Sequence, residues 1–141
     1  MGFNFKLTNL QSAIGLAQMD QFEARLEHQR QLYRWYRRHL PVSDRMSLLD
    51  FDVDGGECPQ WIDIRVNDRD GLHDFLLENG ISTRKYWFPL HTQTPYRVSD
   101  RDFPISSRAS SESLWLPSSL TMTESDVQRV CSAIESWAKT E

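Results

Sequence analysis

Two cysteines, Cys58 and Cys131, are all this sequence has, and they lie far apart with no ligand-like spacing. That excludes a disulfide framework and a cysteine knuckle for metal, and it fits a cytoplasmic protein with buried or incidental thiols. No stretch approaches the roughly 20 apolar residues that a membrane-spanning helix needs. The first residues lack the apolar segment of a signal peptide, and no Asn-x-Ser/Thr acceptor occurs. The four histidines (His28, His39, His73, His91) form no His-x-x-x-His pair, so no metal site is expected. Serines crowd between 106 and 113 without a Gly-x-Ser-x-Gly elbow, which reads as polar helix surface and loop. Positive charge is not in excess either. The formal net charge is −4, which argues against nucleic acid and an anionic membrane as partners.

What is present suits one domain over 1–141, with a hydrophobic fraction of 39% that suffices for a single core. A long first helix is expected from about Thr8 to Leu40, with a capping box between Thr8 and Gln11 and a stop at Pro41. Its first half is small and apolar (Ala13 to Ala17). Its second half places Phe22, Leu26, Tyr33, Tyr36 and Leu40 on one stripe, opposite Glu23, Glu27, Arg30, Arg34 and Arg37. So long a helix in so small a domain implies packing against something outside the domain. The arginine group, with Arg38, reads as a solvated face complementing the helix dipole.

Beyond Pro41 a turn-rich connector carries Asp50, Asp52, Asp54 and Gly55-Gly56, with Leu48 to Val53 a possible edge strand. Trp61 to Val66 alternates as a half-buried strand. Asn67 or Asp68 then caps a helix ending near Asn79, with Gly80 just past its end. Ile105 to Leu114 reads as a helical turn, and Leu114 to Leu116 as a strand stopped by Pro117. Thr123 and Asp126 form a second capping box before a final helix that buries Val127, Val130, Cys131, Ile134 and Trp137. The fold class that results is a two-layer α/β (α+β) domain: a small, mostly antiparallel sheet with packed helices and a long N-terminal helix.

The stretch Gly80 to Tyr96, GISTRKYWFPLHTQTPY, is denser in chemistry than a connector requires. Ile81 to Phe88 has the content of an extended segment, and Pro89 and Pro95 forbid a helix across the rest. His91, two arginines (Arg84, Arg97) and Lys85 are thereby presented along a stiffened, aromatic-rich backbone, as on a pocket wall, with Tyr86 and Tyr96 around His91. His91 remains open to two readings, a structural histidine or a functional one.

Three motifs carry a resemblance to a known family. Gly2-Phe3-Asn4-Phe5-Lys6 and the residues through Gln18 resemble the G-[FY]-N-[FY]-R-x-T-x-x-Q-A-A-I-G stretch of the PLP-dependent sugar-nucleotide aminotransferases of the DegT/DnrJ/StrS type. The central stretch is similar to that family's G-I-x-T-R-x-x-[FY]-x-P-L-H-x-Q-P-x-Y. Leu114-Trp115-Leu116-Pro117-Ser118 with Leu120-Thr121 is similar to its L-x-L-P-S…L-T. The order is right and the motifs span nearly the whole chain, with the perosamine-synthase branch as the nearest match.

The resemblance implies the C-terminal small domain of a fold-type I aminotransferase, with residues 1–40 as linking segment and long helix and 41–141 as the small domain. It also implies a homodimer, with a large PLP-binding domain missing or separate. By the same resemblance Asn4 and Lys6 approach the cofactor phosphate, Lys6 standing where the family more often has arginine, a looser phosphate ligand. Arg84, Tyr86 and His91 are implied on the sugar-nucleotide side. None of the three lysines (Lys6, Lys85, Lys139) stands in a context like the family's Schiff-base lysine. So no catalytic residue and no cofactor are expected for the chain by itself, PLP belonging to the complete enzyme. The alternative is a truncated homologue that serves as an oligomerising or binding module.

Overall fold

In the computed structural model, which describes residues 5–41 and 43–139, Thr8 caps helix α1 (Asn9–Met19) as its spacing to Gln11 predicts. Its Oγ1 accepts the Gln11 N–H at 3.3 Å, and the Gln11 side chain accepts the Thr8 N–H at 2.9 Å. The single helix expected as far as Leu40 is in fact two. After α1, Gln21 leaves helical geometry at φ −108° and ψ 6°, and α2 runs from Phe22 to His39. The cause lies at the junction. Asp20 is a poor helix former whose short carboxylate competes for backbone groups, and α1 buries none of its residues, so no packing holds the two helices collinear.

Helix α2 belongs to the core. Leu32, Tyr33 and Tyr36 are buried, whereas Phe22 is 44% exposed, so the buried stripe covers only the second half. Two hydroxyls tie it down. Tyr36 donates to the Pro117 carbonyl at 2.8 Å, and Tyr33 donates to the Leu49 carbonyl at 2.9 Å while accepting the Phe51 N–H at 3.0 Å. The arginine face is not merely solvated: Arg30 donates to the Gly56 and Glu57 carbonyls, Arg34 pairs with Glu27 and Asp54, and Arg38 pairs with Glu124.

Strands β1 (Met46–Leu48), β2 (Ile62–Val66), β3 (Arg84–Lys85) and β4 (Ser113–Leu116) form a sheet of order β1-β2-β4-β3, every neighbour antiparallel. The edge strand expected over Leu48 to Val53 stops at Leu48. Asp52 turns the chain instead, its Oδ1 accepting the Gly55 N–H at 2.8 Å before Gly56 at φ +105°, a conformation that glycine adopts freely. The extended segment expected over Ile81 to Phe88 likewise shrinks to β3 plus one further bond, from the Tyr86 N–H to the Ser113 carbonyl.

One face of the sheet carries Ile62, Ile64, Val66, Leu114 and Leu116. It shares a single core with α2, α3 (Arg69–Glu78) and α5 (Glu124–Ala138). Asp68 caps α3, and Gly80 follows it at φ +69°. Thr123 and Asp126 complete the box that opens α5, and all five of its predicted residues are buried. The fold class is therefore the two-layer α/β arrangement read from the sequence. Among the described residues no helix is long and apolar enough to cross a membrane.

Candidate functional site

Strand alternation sends Asp63, Trp115 and Arg84 to the sheet face opposite the core. They form one cross-strand row, since Asp63 pairs with Trp115 and Trp115 with Arg84. Trp115 is the hub. Trp61 stacks on it at 4.4 Å, Trp87 meets it edge-on at 5.1 Å and Tyr86 edge-on at 5.8 Å. The Arg84 guanidinium lies over the Trp87 ring at 4.6 Å and the Trp115 ring at 5.1 Å, an arrangement that fixes the fork while leaving its N–H groups for an anion. Within this row Asp63 is buried. Its Oδ1 and the Trp115 Nε1 lack hydrogen bonds among the described residues. Burial raises the Asp63 pKa, and the nearby indole lowers it only in part.

His91 is held elsewhere. Past Pro89 the chain makes three short 3-10 turns (Leu90–Thr92, Thr94–Tyr96, Asp100–Asp102) and then enters α4 (Pro104–Glu112). The prolines thus give tight turns in place of a helix. His91 is 6% exposed. Its Nε2 lies 2.8 Å from Asp100 Oδ1 and 3.1 Å from Ser107 Oγ, and its ring stacks on Phe103 at 4.8 Å. An ionised carboxylate only accepts, so the His91 Nε2–H donates to Asp100. The His91 carbonyl also accepts the Val98 N–H at 3.1 Å, which closes the loop on itself. Between these turns and the start of α4 lies an open cavity of about 660 Å³, reached by His91, Phe103 and Ser106 from one side and by Tyr96, Arg97 and Val98 from the other.

The expected substrate residues therefore fall into two groups. Arg84 and Tyr86 meet around Trp115, whereas His91 lines a cavity that neither of them lines. Asn4 lies outside the described residues, and Lys6 is exposed. Lys85 Nζ is 2.8 Å from Asp70 and Lys139 Nζ is 2.7 Å from Glu135, both in exposed ion pairs. A Schiff-base lysine must be held and desolvated. None of the three is buried, so these lysines do not fit the covalent anchor of PLP. Sequence reasoning missed the partners of the site: Trp61, Trp115 and Asp63 under Arg84, and Asp100 and Ser107 on His91. The only available signal was strand alternation, which pairs Asp63 with Trp115. Nothing local links His91 to a serine on the following helix.

Comparison with known proteins agrees with the motifs. A family model described as the DegT/DnrJ/EryC1/StrS aminotransferase family matches residues 1–135. The GDP-perosamine synthase of Caulobacter vibrioides is 28% identical over 142 residues, a match that covers 96% of this chain and 38% of that protein. That of Vibrio cholerae is 27% identical over 145 residues, covering 97% and 39%. The chain thus spans under two fifths of the length of these curated relatives. Among solved structures, DesI in the presence of its TDP-sugar product superposes with a TM-score of 0.85 at 25% identity, over 97% of this chain and 37% of that one. A DegT DnrJ EryC1 StrS aminotransferase from Brucella abortus gives 0.79 at 26%, also over 97% and 37%.

Proposed function

Because the chain belongs to the DegT/DnrJ/EryC1/StrS aminotransferase family, we propose that it is the small-domain part of a PLP-dependent enzyme that moves an amino group onto a nucleotide-linked keto-sugar. The observation that carries this reading is the family match over residues 1–135, joined to a fold shared with over a third of the length of solved sugar aminotransferases. In this reading residues 1–40 link the domain to the PLP-binding part and 41–141 form the small domain, with the second half of α2 packed into it. The enzyme works in the cytoplasm. The covalent chemistry belongs to PLP on the other domain, and this chain supplies binding groups. Asn4 and Lys6 serve the cofactor phosphate, as donors and positive charge do. Arg84, Tyr86 and His91 serve the sugar nucleotide, His91 through its Nδ1. The binding-module alternative is less favoured, because the matching family model and the curated relatives are aminotransferases.

The test is a fusion of this chain behind a homologous large domain, assayed for amino transfer from glutamate to a nucleotide-linked keto-sugar. His91→Ala is expected to raise substrate KM about tenfold with PLP retained, whereas Asn4→Ala weakens PLP and leaves KM nearly unchanged. A His91→Ala enzyme with normal KM and kcat would make His91 purely structural.

A further inference from the structure

His91 is gripped from two elements beyond its own turn. Asp100, which opens the third 3-10 turn, brings Oδ1 to 2.8 Å from Nε2, and Ser107 of α4 brings Oγ to 3.1 Å from the same atom. The Ser107 hydroxyl also lies 3.4 Å from Asp100 Oδ1, to which it donates. One carboxylate oxygen therefore collects both hydrogens. The Phe103 ring stacks on the imidazole at 4.8 Å and fixes its plane. The pair is lopsided, with the histidine 6% exposed and its acid 71%. Both contacts fall on one nitrogen, whereas a nucleophilic relay needs the acid and the hydroxyl on opposite nitrogens of the ring. The trio therefore does not activate Ser107; it holds a ring still. His91 lines the cavity, but neither Asp100 nor Ser107 does, so a bound molecule meets those two through the imidazole.

We propose that Asp100 and Ser107 are positioning residues for His91, holding the imidazole in one orientation for the molecule it meets. The proposal rests on the sugar-nucleotide reading for the identity of that molecule. An imidazole left to itself turns about χ2 between two broad wells, and a ring already fixed spares binding the cost of ordering it. Asp100 carries the larger share, because a hydrogen bond to an ionised acceptor is roughly twice as strong as a neutral one. Ser107 closes the fork from the helix side and is the smaller contributor.

The experiment has a ligand-free arm and a kinetic arm. In the first, proton NMR of the full chain follows the His91 ring N–H, a buried proton bonded to a carboxylate and so expected downfield and slow to exchange with water. His91→Ala, which lacks the ring, assigns it. Asp100→Ala is expected to lose the signal to exchange, as is Asp100→Ser, whose side chain falls short of Nε2. Asp100→Asn should keep it, since the amide oxygen still accepts. Asp102→Asn removes the same charge from the same turn without a bond to His91, and should change nothing. In the second arm, the fusion to a homologous large domain carries the same substitutions. Asp100→Ala is expected to raise KM for the nucleotide-linked sugar about fivefold with PLP retained, and Asp100→Asn and Ser107→Ala about twofold or less. Adding Asp100→Ala to His91→Ala should cost nothing further. A ring N–H that survives Asp100→Ala, an Asp100→Asn as impaired as Asp100→Ala, or a double variant clearly worse than His91→Ala overturns the proposal. The two readings fail separately. An Asp100-dependent N–H in a chain whose fusion accepts no nucleotide-linked sugar sinks the sugar-nucleotide reading and leaves the hold on His91 standing. A fusion active on that sugar whose KM ignores Asp100→Ala does the reverse.

Discussion

Asp63 faces Trp115 across the β2–β4 pair with Oδ1 buried and unpaired among the described residues, so its charged form is the expensive one. Burial raises its pKa above the ordinary 3.8, and the indole N–H opposes that only partly. The sign follows from proton binding. Between 3.8 and the raised value the folded chain holds this proton and the unfolded chain does not, so stability falls as pH rises through that window. Above it the full penalty is present. Asp63→Asn is therefore expected to stabilise the protein at pH 7 by on the order of 1 kcal/mol, and the gain should fade as pH is lowered toward 4. Urea denaturation of both proteins at several pH values checks this; a gain that is the same at every pH would place its origin elsewhere. Nothing in the residue string around Asp63 announces this. The alternation that buries Ile62, Ile64 and Val66 predicts a solvated aspartate between them, and only the tryptophan layer contradicts it.

The two capping boxes read alike in the sequence and differ in consequence. Thr123 opens α5, which buries Val127, Val130, Cys131, Ile134 and Trp137, whereas Thr8 opens α1, which buries nothing. Thr123→Ala is expected to cost about 1 kcal/mol of global stability. Thr8→Ala should reduce helicity in circular dichroism and leave the denaturation midpoint where it was, because fraying of α1 exposes no core. Equal midpoint shifts would show that α1 is part of the cooperative unit. This is also where the sequence was most legible. Caps, alternation and the positive-φ glycine after α3 are local signals, and α3, β2, β4 and α5 were read within a residue or two. The break at Asp20 and Gln21 left the apolar period unchanged, so periodicity missed it. The His91 turns were legible as non-helical because of Pro89 and Pro95, but their closure onto Asp100 and Ser107 is a long-range choice that no short window contains.

At the scale of the molecule, the apolar surface is unevenly distributed. Leu10, Ile14, Leu16 and Met19 of α1 are 56–72% exposed, around a helix that buries none of its own residues and so has apolar surface to offer a neighbour. Self-association through α1, most simply as a dimer, is expected. Sedimentation velocity should show a concentration-dependent shift that Ile14→Asp abolishes; a monomer throughout would refute it. The sheet gives neighbours much less to hold. Its outer strands are three and two residues long, and β3 consists of Arg84 and Lys85 with Pro89 soon after. So short and charged an edge exposes few backbone groups to another strand. Copies that meet are expected to do so through side chains on a helix, a contact that dilution reverses. The backbone route, along which strands add without limit into fibres, has two or three residues to work with at either rim.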